Sequence, residues 1–70
     1  MNKGERLAAY LRLGALLVRD KKFDRAEALY KSCILEFEDD FRCYFNYAQL
    51  CCLQKRYLKA ERLFLEAEAR

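Results

Sequence analysis

The sequence predicts an all-α chain built as two antiparallel helix–turn–helix hairpins, and three observations carry that reading. The chain echoes itself at a spacing of 34 residues. Laying Leu7–Glu36 over Phe41–Arg70 aligns Tyr10 with Tyr44, Leu16 with Leu50, Lys21 with Lys55, Ala26 with Ala60, Glu27 with Glu61 and Leu29 with Leu63. Near-matches fill the gaps: Gly14 with Ala48, Lys22 with Arg56, Phe23 with Tyr57, Arg25 with Lys59, Tyr30 with Phe64 and Cys33 with Ala67. A fixed period of this length marks stacked supersecondary units. Apolar residues also recur at steps of three and four, the helical period. Finally, the chain has no proline, and Gly4 and Gly14 are its only glycines, so nothing punctuates strands or hairpins.

Four helices follow in order. The first begins near Lys3 behind Asn2, with Glu5 placed to reach back to the Asn2 amide as in a capping box. Its apolar stripe is Leu7, Tyr10, Leu11, Leu13, Gly14, Leu17 and Val18, and it ends near Asp20. The polar group Arg19-Asp20-Lys21-Lys22 forms the first turn. The second helix runs from Phe23 or Asp24 to Phe37, with Ala26, Leu29, Tyr30, Cys33 and Ile34 on its apolar side. Glu38-Asp39-Asp40 turns the chain, and Asp39 or Asp40 caps the third helix, where negative charge suits the helix N-terminus. That helix runs from Phe41 to Leu53. Gln54-Lys55-Arg56 is the second tight turn, and the fourth helix runs from Tyr57 to the end. Turns this short force each helix pair to fold antiparallel.

Composition excludes several classes. The net charge is +3, with 8 basic and 8 acidic residues over Met1–Asp40 and 6 basic and 3 acidic over Phe41–Arg70. So mild an excess does not make the basic stripe that nucleic acid asks for. No apolar run reaches the length of a membrane span, and the start, Met1–Arg6, lacks the apolar core of a signal peptide. The four cysteines, Cys33, Cys43, Cys51 and Cys52, contain no Cys-x-x-Cys pair and have no histidine beside them. They fall in apolar helical stretches, so reduced cysteines acting as small core residues are expected, in a reducing, cytoplasmic compartment. A disulfide framework or a zinc site fits the pattern less well. Enzyme chemistry finds no foothold: without histidine there is no ready base near neutral pH, no Gly-rich phosphate loop occurs, and no cysteine has an activating neighbour in sequence. No enzyme activity, cofactor or metal is expected.

Read position by position, the unit resembles the tetratricopeptide repeat (TPR). That pattern sets an aromatic, then Leu-Gly three and four on, then an apolar residue; its second helix carries a small residue, an aromatic and another small residue. The first repeat reads Tyr10, Leu13, Gly14, Leu17, Phe23, Ala26, Tyr30, Cys33, and the second Tyr44, Tyr47, Ala48, Cys51, Tyr57, Ala60, Phe64, Ala67. Small residues let paired helices approach closely, and the aromatics fill the space between. The resemblance covers residues 7–70 and implies a single domain over 1–70, with repeat one about 7–40 and repeat two about 41–70. It also implies a short right-handed solenoid. Three departures stand out. Glu38 occupies the place of a helix-ending proline, so the second helix is expected to run on or its turn to loosen. Tyr47 replaces the usual leucine. No third repeat and no polar last helix follow, and terminal repeats normally present a polar outer face.

The resemblance implies a protein–protein interaction module, an adaptor or assembly scaffold, that holds a peptide or helix in the concave groove lined by the first helix of each repeat. Carried over position by position, the groove residues are Leu11, Arg12, Ala15 and Arg19, then Arg42, Phe45, Asn46, Gln49 and Leu53, with Ala8, Val18 and Cys52 beside them. The arginines suit an acidic peptide, and Phe45 suits a hydrophobic anchor. The alternative is a self-assembling repeat unit, a homo-oligomer or part of a longer array. It would be covered at the last helix over Leu58, Phe64 and Leu65 by a second copy, a partner or further repeats. An RNA-binding helical repeat is the third reading. The subgroup that grips the C-terminal carboxylate of heat-shock chaperones is not matched. Asn46 agrees with it, but Leu11 and Ala15 stand where its lysine and first asparagine belong. The string Leu13-Gly14-Ala15-Leu16-Leu17 spells LxxLL, but packing already claims Leu13, Gly14 and Leu17.

Overall fold

Each helix begins and ends where local chemistry lets it. A computed structural model describes residues 2–70, and it has four α-helices: α1 Lys3–Arg19, α2 Phe23–Glu36, α3 Phe41–Leu53 and α4 Tyr57–Ala69. Asn2 caps α1 in the expected box: its side chain accepts from the Glu5 amide at 2.8 Å, and its own amide donates to the Glu5 carboxylate at 3.2 Å. Asp40 caps α3 by accepting from the Arg42 amide at 2.9 Å. Neither α2 nor α4 has a side-chain cap.

The two tight turns are built alike. Lys21 and Lys55 both take the left-handed backbone conformation, each with φ of 61°. In the first turn the Lys22 amide donates to Leu17 O at 2.8 Å and the Lys21 amide to Val18 O at 2.9 Å. In the second, Arg56 donates to Cys51 O at 2.8 Å and Lys55 to Cys52 O at 3.0 Å. Both are Schellman closures, which satisfy the last carbonyls of the helix and reverse the chain. The hairpins α1–α2 and α3–α4 are the closest-packed pairs, α2 then lies against α3, and α1 touches α3. The result is a slab of 34 × 30 × 13 Å.

One core runs through both hairpins. Ala26, Tyr30, Tyr47, Leu50, Cys51 and Ala60 are buried together, with Leu17, Val18, Phe23, Ile34, Cys52, Leu63 and Phe64 packed around them. Gly14 explains how close α1 and α2 come: a Cβ there would lie 2.6 Å from Cζ and 2.7 Å from Oη of Tyr30. A second cluster joins Leu7, Cys33 and Cys43, flanked by Tyr10, Leu11, Ile34 and Phe37.

One alternative is not taken, and one expectation is corrected. Despite the missing proline, α2 does not run on. It stops at Glu36, because Phe37 leaves helical geometry (φ −126°, ψ 54°) and its ring stacks edge-on to Tyr10 at 6.1 Å. The Asp40 amide then closes the turn onto Phe37 O at 3.0 Å. The reading of all four cysteines as reduced holds only for Cys51 and Cys52. Cys33 and Cys43 are joined as a disulfide between α2 and α3, with their Cα atoms 6.0 Å apart. Taken singly, each is a small apolar residue on its own helix; only the packing of one hairpin on the next brings the two sulfurs together.

Candidate binding groove

Between α1 and α3 lies a hollow of about 400 Å³, lined by Ala15 and Val18 of α1, Tyr30 of α2, and Asn46, Gln49, Leu50, Cys52 and Leu53 of α3. The helical step of three to four places Asn46, Gln49 and Leu53 on one side of α3. Apolar carbon makes most of the wall. The two amides on α3 each offer donors and an acceptor. Burial pushes the Tyr30 phenol up from its ordinary pKa, so it contributes a neutral hydroxyl.

Of the residues expected to line the groove, Ala15, Asn46, Gln49 and Leu53 meet here. The others are dispersed. Leu11 packs beside the Leu7–Cys33–Cys43 cluster. Phe45 turns toward α4, its ring edge-on to Phe64 at 5.6 Å. Arg12 is exposed, and Arg19 lies 3.7 Å from Asp20. Arg42 is held by the cap of its own helix: Nε donates to Asp40 Oδ1 at 3.0 Å and Nη2 to Oδ2 at 2.7 Å. That guanidinium holds the Asp40 carboxyl below its usual range, so the pair is already matched before any partner arrives. On α4, Leu58 and Leu65 stand exposed, and Phe64 is half-buried.

Sequence reasoning missed a charged junction between the two hairpins. Glu27 Oε2 on α2 accepts from Tyr47 Oη at 2.7 Å, Arg56 Nη1 at 2.8 Å and Lys59 Nζ at 3.3 Å. The Lys59 ammonium also sits 4.9 Å from the centre of the Tyr47 ring. The Tyr47 hydrogen bond leads these donors in holding the Glu27 carboxyl down to about 2, against the burial that would raise it. Burial and the Glu27 carboxylate together push the Tyr47 phenol up. The signal available was the match of Glu27 with Glu61, an identity at a charged position that core packing does not explain. The hydroxyl of Tyr47, where the TPR pattern has leucine, is the partner that completes it.

The free thiol of Cys51 is unsuited to nucleophilic work. Burial raises the Cys51 pKa, which disfavours the reactive thiolate. Among the described residues, no three acidic or cysteine side chains converge as a metal site would require.

A family model for the tetratricopeptide repeat matches residues 7–50, which takes in α1 from Leu7, all of α2 and most of α3. The chain belongs to the tetratricopeptide-repeat family. No curated protein and no solved structure matches it. The TPR assignment accounts for the hairpins, for Gly14 beneath Tyr30 and for Ala26 and Ala60 in the shared core. TPR units mediate protein–protein interaction as a family. No helix among the described residues is long and apolar enough to cross a membrane.

Proposed function

We propose that this chain is a single TPR domain of two repeats, about 7–40 and 41–70, that holds an extended or helical peptide in the hollow between α1 and α3. The observation that carries the reading is the pairing of Asn46 and Gln49 with apolar walls from Ala15, Val18 and Leu53. An apolar concavity with a few convergent polar groups is the usual form of a binding site. The amides would hydrogen-bond a peptide backbone while Leu53 covers an apolar side chain. Charge plays a smaller part than the arginines suggested, because Asp40 already engages Arg42. The same pairing weakens the RNA reading: Arg6, Arg42, Arg56 and Arg70 all have carboxylate partners.

The test is to pan a random peptide library on the immobilised chain and measure selected peptides by fluorescence anisotropy. Asn46→Ala with Gln49→Ala is expected to weaken binding about tenfold, roughly 1.4 kcal/mol, and Leu58→Ser to leave it unchanged. Peptides that bind the double variant as well as the parent would overturn the groove reading.

A cytoplasmic setting belongs to this proposal. There the Cys33–Cys43 pair would be held as thiols, which alkylation of the chain in its source cell reads directly. The self-assembling reading is favoured by a separate observation on α4.

A further inference from the structure

The way the second repeat sits on the first is a template for what the outer face of the second repeat takes. The first repeat offers a socket: Val18, Phe23, Ala26, Tyr30 and Ile34 share one core with the buried Tyr47 and Leu50 of α3. Moving the first four by the 34-residue period gives Cys52, Tyr57, Ala60 and Phe64. Those four line one open, mostly apolar hollow of about 280 Å³ on the outer side of α4. The last position changes character, from Ile34 to Glu68. The socket therefore exists twice, and its second version opens to solvent beside the exposed Tyr57.

The plug also exists twice. Moving Tyr47 and Leu50 back by 34 gives Leu13 and Leu16 on α1. Their counterparts are buried, yet these two are 48% and 46% exposed. Cys43, buried at the junction, maps to Ala9, which lines a shallow apolar hollow together with Leu13. The charges repeat as well. Glu27 is engaged by Arg56 and Lys59 across the junction. The same shift gives Glu61 on the open socket, with Lys22 and Arg25 beside the open plug. All three are exposed, and none appears in an ion pair among the described residues.

We propose that the outer face of α4 takes α1 of a second copy of this chain, head to tail, with Leu13 and Leu16 in the socket and Glu61 against Lys22 and Arg25. The inference deepens the self-assembling reading and is independent of the peptide groove. A head-to-tail contact of this kind is heterologous, so it propagates into a stack and does not close as a symmetric dimer.

The experiment measures mass by sedimentation equilibrium across the micromolar range. The parent chain is expected to grow beyond a dimer as concentration rises. Two half-blocked variants decide the geometry. Leu13→Lys with Leu16→Lys spoils the plug and spares the socket; Tyr57→Lys with Glu61→Lys spoils the socket and spares the plug. All four positions are solvent-exposed, and circular dichroism checks that the variants stay folded. Each variant alone is expected to associate at least tenfold more weakly than the parent, while their equimolar mixture forms dimers and nothing larger. Leu35→Lys, away from both faces, is expected to assemble like the parent. A parent chain that stays monomeric throughout, or that stops at a dimer, overturns the proposal. So does a mixture no better than its separate components.

Discussion

Gly14 and Glu27 each do a job that their residue types alone do not announce. Alanine is the better helix former by about 1 kcal/mol, so Gly14→Ala would stabilise an isolated α1. In the folded chain the added methyl meets the buried Tyr30 ring, and overpacking of that kind costs about 1–3 kcal/mol. A net loss of stability in urea denaturation is therefore expected, and a variant as stable as the parent would contradict the close approach. At the matching positions of the second hairpin, Ala48 and Phe64, a methyl group accompanies a ring that lacks the hydroxyl. Glu27 gives a pH dependence whose sign is fixed. Its folded carboxyl titrates near 2, below the ordinary 4.5. The stabilisation is full above pH 4.5 and is lost as pH falls toward 2. With Arg56 and Lys59 partly exposed, about 1–2 kcal/mol is a fair size for it. Glu27→Gln is expected to flatten the stability curve between those two pH values. An equally steep fall in the variant would assign the acid sensitivity elsewhere.

At the scale of elements, repetition made most of the structure legible. Asn2 with Glu5 marked the start of α1, Asp39 or Asp40 the start of α3, and the 34-residue echo aligned both tight turns. What stayed hidden depends on contacts between elements. The end of α2 was legible to within a residue, at Phe37, but the contact of the Phe37 ring with Tyr10 is a meeting of two helices that no local pattern encodes. Phe45 and Arg42 fit the groove by position, yet one turns to Phe64 and the other to Asp40. Position in a repeat says which side of a helix a residue occupies, and neighbours decide what its side chain then touches. The two turns carry their own prediction. A non-glycine residue in the left-handed region costs about 1 kcal/mol or more, and Lys21 and Lys55 both pay it. Lys21→Gly and Lys55→Gly are each expected to gain about 0.5–1 kcal/mol in thermal or urea unfolding. A loss in either would mean that the lysine side chain supports its turn in a way the backbone geometry does not reveal.

Across the whole molecule, two hairpins share one core, and each unit of a stacked array depends on its neighbour for part of its stability. In such arrays the junction between units sets whether they unfold together or peel apart. Here that junction holds the Glu27 cluster and, nearby, the bond from Cys33 to Cys43. The bond closes a short loop around the turn from Phe37 to Asp40, and a loop that short contributes about 2–3 kcal/mol. Its larger effect is on cooperativity. With the cysteines oxidised, α2 and α3 cannot separate, so hydrogen exchange in both hairpins should report one common opening event. With a reductant present, α3–α4 is free to open alone, and its amides should exchange faster than those of α1–α2. The redox state of a single pair would then decide whether this chain behaves as one folding unit or two.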